Sequence, residues 1–93
     1  MDFYFLVPLK NSKKPQFLRI AGKVFTISKQ GRIVVKLENS VPRLGAKVYD
    51  KNLRNLGVVV DVIGNVKSPY MVVKPFESKG LEKIIGDTLY VKD

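Results

Sequence analysis

This sequence predicts an all-β fold, a small six-stranded closed or nearly closed barrel with one short helix. Three observations carry that reading. Six short runs rich in Val, Ile, Tyr and Phe recur between residues 19 and 91, separated by Gly, Pro, Asn and Ser. Along several of them apolar residues alternate with the period of two that a pleated strand imposes. Ninety-three residues hold one core and hardly a large sandwich, and closure removes the edges that short strands would otherwise expose.

In chain order the strands are placed at residues 19–27, 32–37, 46–50, 57–63, 70–74 and 87–91. Ser28-Lys-Gln-Gly31 reads as a tight hairpin in which Gly31 supplies the positive φ. Glu38 to Gly45 is a longer loop broken by Pro42. Gly64-Asn65 ends the fourth run, and Pro69 holds Ser68 extended ahead of the fifth. The helix falls on Ser78–Ile85: Ser78 suits its N-cap, Leu81, Ile84 and Ile85 share a face, and Gly86 closes it. Phe3 to Val7, short and aromatic, suits a strand or a docking segment, and the basic, proline-containing Lys10–Gln16 a loop. The domain is thereby set at residues 17–93, with 1–16 as an N-terminal extension and linker.

Alternation assigns faces. Ile33, Val35 and Leu37 point one way, as do Val58, Val60 and Val62, Met71 and Val73, and Leu89 and Val91. With these sets inside, Val59, Ile63, Tyr70, Val72 and Tyr90 point outward, more apolar surface than one filled barrel explains. Three explanations stand: cover by the N-terminal segment or the helix, a protein-binding patch, or an inverted face. The patch is attractive because the strand carrying Val59 and Ile63 leads directly to Tyr70 and Val72.

Composition narrows the chemistry. There is no Cys, so disulfides and thiolate catalysis are excluded, and no His, which removes the usual near-neutral base and the commonest metal ligand. The eight carboxylates form no spaced pair, although Asp50 and Asp61 are candidates for proximity in space. Neither GxxxxGK[ST] nor GxGxxG occurs. The expectation is a non-enzyme without cofactor or metal. Asp2 and the missing basic n-region argue against a signal peptide at the apolar N-terminus, and no run reaches the roughly 20 apolar residues of a membrane span. A soluble cytoplasmic protein without small-molecule substrate is expected.

The formal charge of +9 points to an anionic partner such as RNA. Nine aromatics and thirteen lysines are the ingredients of a stacking platform in a basic groove. Against this, there is no RNP-type aromatic signature and no GxxG loop, and Lys13-Lys14 is the one adjacent basic pair. A lysine-rich, solvated surface of the thermophilic kind accounts for part of the charge.

The ordered series Leu44-Gly-Ala-Lys-Val-Tyr-Asp50, Gly57-Val-Val-Val-Asp-Val-Ile-Gly64, Val66-Lys-Ser-Pro-Tyr70 and Val72-Val-Lys-Pro75 resembles the GAR-type subunit of the H/ACA ribonucleoprotein. That particle makes pseudouridine under the direction of a guide RNA. The resemblance extends over about Arg19–Val91, from Gly22-Lys-Val to the closing Ile85-Gly-Asp-Thr-Leu-Tyr-Val91. It implies a translation-factor-like barrel that binds the pseudouridine synthase catalytic subunit and assists loading and release of substrate RNA in rRNA pseudouridylation. It also implies membership of a guide RNA particle without extensive direct RNA contact. The family's Gly-x-Val-x-x-Pro-Tyr signature maps to Gly64, Val66, Pro69 and Tyr70, beside the surplus apolar residues. The expected partner-binding set is therefore Val59, Ile63, Gly64, Asn65, Val66, Pro69, Tyr70 and Val72.

Two departures matter. Asn65 stands where the signature commonly has proline, which predicts a less rigid turn. The chain has no Arg-Gly repeat of the kind that eukaryotic members carry, which fits an archaeal member. A free-standing RNA-binding barrel associated with the ribosome is the alternative.

Overall fold

The computed structural model describes residues 4–7, 16–38 and 40–92, with the backbone alone for 4–7, 16 and 17. Among the described residues seven strands run in chain order: β1 (Tyr4–Val7), β2 (Gln16–Ile27), β3 (Ile33–Leu37), β4 (Lys47–Tyr49), β5 (Asn55–Asn65), β6 (Ser68–Pro75) and β7 (Thr88–Lys92). Neighbours pair in the order β1-β2-β3-β6-β5-β4-β7, all antiparallel, and β7 returns to β2. Strands β2 to β7 thus close a six-stranded barrel, and β1 adds to the start of β2 through Tyr4↔Arg19 to Val7↔Gln16.

β2 makes closure possible. Its 12 residues pair with β1 and then β3 along one edge while Arg19–Lys23 pair with β7 along the other. Register shifts at Ile20/Gly22 and Val24/Thr26 bend it, as bulges do at barrel corners. Between the two shifts sits Gly22, where an added Cβ would lie 1.9 Å from the Lys36 carbonyl oxygen. Only glycine allows the backbones of β2 and β3 to approach that closely.

The interior is filled by alternating side chains. Ile33 and Val35 from β3, Met71 and Val73 from β6, and Leu89 and Val91 from β7 are all buried as alternation requires. Each such aliphatic contributes about 1.5–3 kcal/mol on burial. The hairpin at Ser28–Gly31 also forms as expected, with Gly31 at φ 79° and its N–H donating to the Ser28 carbonyl.

Three expectations change. The Ser78–Ile85 helix is a single 3-10 turn, Leu81–Ile84, preceded by Gly80 in the left-handed region and not capped by Ser78. Leu81 is its buried residue, and Gly86 (φ 91°) follows it, donating its N–H to the Val24 carbonyl. The segment lies between Gly80 and Gly86, both in the left-handed region, which leaves room for a single turn, and Leu81 and Ile84 still pack on the core. Asp50 and Asp61 are not neighbours. Asp50 pairs with Arg54 at the β4–β5 turn, and Asp61 lies seven residues further along β5, on the order of 20 Å away. The loop expected at Lys10–Gln16 lies outside the described residues except Gln16, which belongs to β2.

The third change concerns β5. Val59 is 1% exposed, inside the barrel, and Val58 and Val60 are not. A register shift between Val59 and Asp61 makes Val60 the extra residue of a bulge, so the alternation changes phase in mid-strand. Beyond it, Val62 packs against the core and Ile63 faces out, as expected.

Candidate functional site

Of the surplus apolar residues, Ile63, Tyr70 and Val72 gather on the outer face of β5 and β6, joined by Val34 of β3, whereas Val59 lies in the core and Tyr90 sits apart on β7, opposite Ile20 and Tyr49. The β5–β6 hairpin supplies the centre. Ile63 opposes Tyr70, Gly64 opposes Pro69 and Asn65 opposes Ser68, so the hairpin brings the signature residues into register. On its other edge Tyr70 opposes Lys36 of β3, and Val72 opposes Val34. Directly opposed side chains lie about 4.5–5.5 Å apart at Cβ, which makes Ile63, Tyr70, Val72 and Val34 one surface. Ile63 is 44% exposed and Val66, at the hairpin tip, 97%. Of the eight expected partner-binding residues the fold brings Ile63, Gly64, Asn65, Val66, Pro69, Tyr70 and Val72 to this region and sends Val59 into the core.

Phe25 completes the surface. It is the extra residue of the β2 bulge: Val24 opposes Val35, and Thr26 opposes Val34. With Val24 inside, Phe25 turns outward, 59% exposed, and meets the Tyr70 ring edge to face with centroids 5.4 Å apart. An aromatic in the middle of a strand is the available signal, but without knowing that β2 and β6 flank β3 nothing ties Phe25 to Tyr70.

Gly64 and Asn65 shape the hairpin that presents Tyr70. Gly64 has φ 91°, and an added Cβ would lie 2.8 Å from the Ser68 carbonyl oxygen and 3.3 Å from Tyr70 Cδ1. The tyrosine ring therefore lies over a position that only glycine fills. Val66 and Lys67 keep negative φ, so the tip is not one of the mirror-image turns that two-residue hairpins favour. Asn65 fixes it instead: its side-chain oxygen accepts from the Lys67 N–H at 3.0 Å and the Ser68 N–H at 2.8 Å. The expected loss of rigidity at Asn65 is thus offset by two hydrogen bonds that proline could not form.

The patch has a basic rim. Lys23, Lys36 and Lys74 are exposed around it, and Asp61, opposite Val72, is an acidic residue within it. Phe25 and Ile63 remain open, so neither β1 nor the 3-10 turn covers them. An apolar centre with aromatic anchors and a charged rim is the anatomy of a protein-binding surface. No group of three or more carboxylates is placed to hold a metal ion among the described residues. No helix among them is long and apolar enough to cross a membrane.

Residues 18–93 match the family model described as the Gar1/Naf1 RNA binding region. An uncharacterized protein of Methanothermobacter thermautotrophicus is 31% identical over 77 residues, covering 80% of this chain and 83% of that protein.

Proposed function

The chain belongs to the Gar1/Naf1 RNA-binding family, and on that premise we propose that it is a non-catalytic subunit that docks on the catalytic subunit of an H/ACA pseudouridine synthase through the Phe25–Tyr70–Ile63 surface. The family is one of accessory ribonucleoprotein components, Gar1 being the H/ACA subunit. The observation that carries the proposal is the convergence of the signature hairpin, Gly64 to Tyr70, with an open aromatic and aliphatic patch.

In this reading the subunit assists substrate RNA loading and release by binding one conformation of a synthase loop better than the other. A ligand shifts such an equilibrium by no more than its differential affinity for the two states. A rigid, pre-formed patch suits this role because little conformational freedom is lost on docking.

The test is reconstitution: mix the chain with an archaeal synthase catalytic subunit, with and without guide RNA, and measure complex formation and turnover. Complex formation without RNA and faster turnover are expected. The alternative, a free-standing RNA-binding barrel, rests on the charge of +9. It predicts RNA binding, steeply weakened by salt, with no complex with the synthase.

A further inference from the structure

Lysines that lie far apart in the sequence are brought together by the fold in two cross-strand pairs. Lys47 of β4 and Lys92 of β7 are direct cross-strand partners, although 45 residues separate them. Like charges placed opposite one another destabilise a strand pair. Neither lysine has an ion-pair partner among the described residues. Lys47 is exposed and Lys92 partly so, hence both ammonium groups reach solvent.

This pair opens onto a groove of about 280 Å³ lined by Arg43, Leu44, Gly45, Ala46, Lys47 and Lys92. Three of the six are cations, and no carboxylate of a described residue lines it. Its wall is fixed by backbone hydrogen bonds, from the Gly45 N–H to the Val59 carbonyl at 2.7 Å and from the Ala46 N–H to the Arg43 carbonyl at 3.1 Å. Leu44, 67% exposed, gives the wall an apolar shoulder. The row continues across the sheet, because Lys47 also opposes Val58, which opposes Lys74. From Lys92 to Lys74 is three interstrand spacings, about 14 Å.

A second like-charge pair, Lys23 with Lys36, lies on the rim of the apolar patch and lines no part of this groove. Lys23 opposes Thr88, four residues along β7 from Lys92, about 13 Å away. The two pairs are thus separable, and the Lys47–Lys92 pair has the concavity, the arginine and the apolar shoulder.

We propose that the β4–β7 face, centred on Arg43, Lys47 and Lys92, binds the phosphate backbone of single-stranded RNA. A positive groove that tracks a backbone, with an apolar shoulder for a base or ribose, is the form sequence-tolerant binding takes. The RNA phosphates relieve the repulsion that the register of Lys47 and Lys92 builds in. The proposal rests on the family's RNA-binding character and on this groove, and not on the synthase contact. It replaces the expectation of little direct RNA contact with a specific face.

The test is titration of a labelled oligouridylate with the full chain at about 50 and 200 mM salt. The double variant Lys47→Glu, Lys92→Glu is compared with Lys23→Glu, Lys36→Glu, which has the same net charge. The first should weaken binding at least about tenfold at the lower salt and flatten the salt slope by about 0.7 for each phosphate no longer neutralised. The second should change affinity by less than about twofold. The single change Lys92→Glu places opposite charges across the pair and should raise the melting temperature by about 1–5 °C while RNA binding falls, which separates a binding role from a structural one. If the double charge reversal fails to fold, Lys47→Gln with Lys92→Gln supplies the same comparison. Equal losses in both double variants, no binding by the unaltered chain, or preference for a polyglutamate peptide would each overturn the proposal. Synthase affinity should be unchanged in the Lys47/Lys92 variants, so failure here leaves the docking surface standing.

Discussion

Phe25 and Tyr70 meet edge to face, ring planes at 62°, across an intervening strand. The contact exists because Phe25, next to the buried Val24, points outward at the level where β3 carries the sheet over to β6. Each ring limits the rotamers of the other, so the surface is organised before a partner arrives. That would lower the entropic cost of the proposed docking, which otherwise falls on each immobilised side chain.

The pair should therefore act as a unit. Phe25→Ala and Tyr70→Ala each weaken synthase binding, by about 1–3 kcal/mol for an anchor residue. Their double variant should lose less than the sum, with a coupling of about 0.5–1.5 kcal/mol, as expected for rings in contact. Titration calorimetry on the four proteins measures this directly.

Val59 and Ile63 should separate cleanly, though alternation alone puts both on one surface. Val59→Ala opens a cavity in a fully packed core and should cost about 2 kcal/mol of stability while leaving the docking surface in place. Ile63→Ala, on an exposed side chain, should leave thermal stability nearly unchanged and weaken synthase binding. Paired melting and binding measurements decide the matter, and the reverse pattern would place the bulge elsewhere.

That bulge also marks the limit of what the sequence discloses. A strict period of two reads β3, β6 and β7 correctly, because no register shift interrupts the β3–β6 or the β4–β7 pairing. In β5 the run Val58-Val-Val60 offers no polar residue to mark where the phase changes, so Val59 lands on the wrong face. Of the candidate site, the hairpin from Gly64 to Tyr70 was legible because it is local in sequence. Phe25 and the Lys47–Lys92 pair were not, since both depend on long-range neighbours that only the closed strand order defines.

The turn at the tip of the site is open to a finer test. Asn65→Asp keeps an acceptor for the Lys67 and Ser68 N–H groups and should retain stability and binding. Asn65→Ala removes both bonds, at about 0.5–1.5 kcal/mol each at most for exposed groups, and should loosen Tyr70. Gly64→Ala should be worse than either, since it forces a left-handed alanine against the Ser68 carbonyl and the Tyr70 ring. Hydrogen exchange at the Lys67 and Ser68 amides reads out the loosening, and synthase affinity its consequence.

Tyr49 gives the fold an alkaline limit. Burial disfavours the phenolate and raises the hydroxyl above its ordinary value of 10.0. The unfolded chain releases this proton at about pH 10 while the folded chain holds it, so the contribution is fully present below pH 10 and is lost as pH rises through the raised folded value. Tyr49→Phe removes the proton and should flatten that alkaline loss. Denaturant melts from about pH 8 to 11, spanning the ordinary tyrosine value, are the check.

In the proposed function the Tyr70 surface docks on the synthase. The most direct measurement is the affinity of the archaeal catalytic subunit for the unaltered chain and for Tyr70→Ala, with a melting curve confirming that the variant folds. A complex with the unaltered chain, weakened at least about fivefold in the folded variant, is the predicted result. Equal affinity of the two chains, or no complex with either, would contradict it.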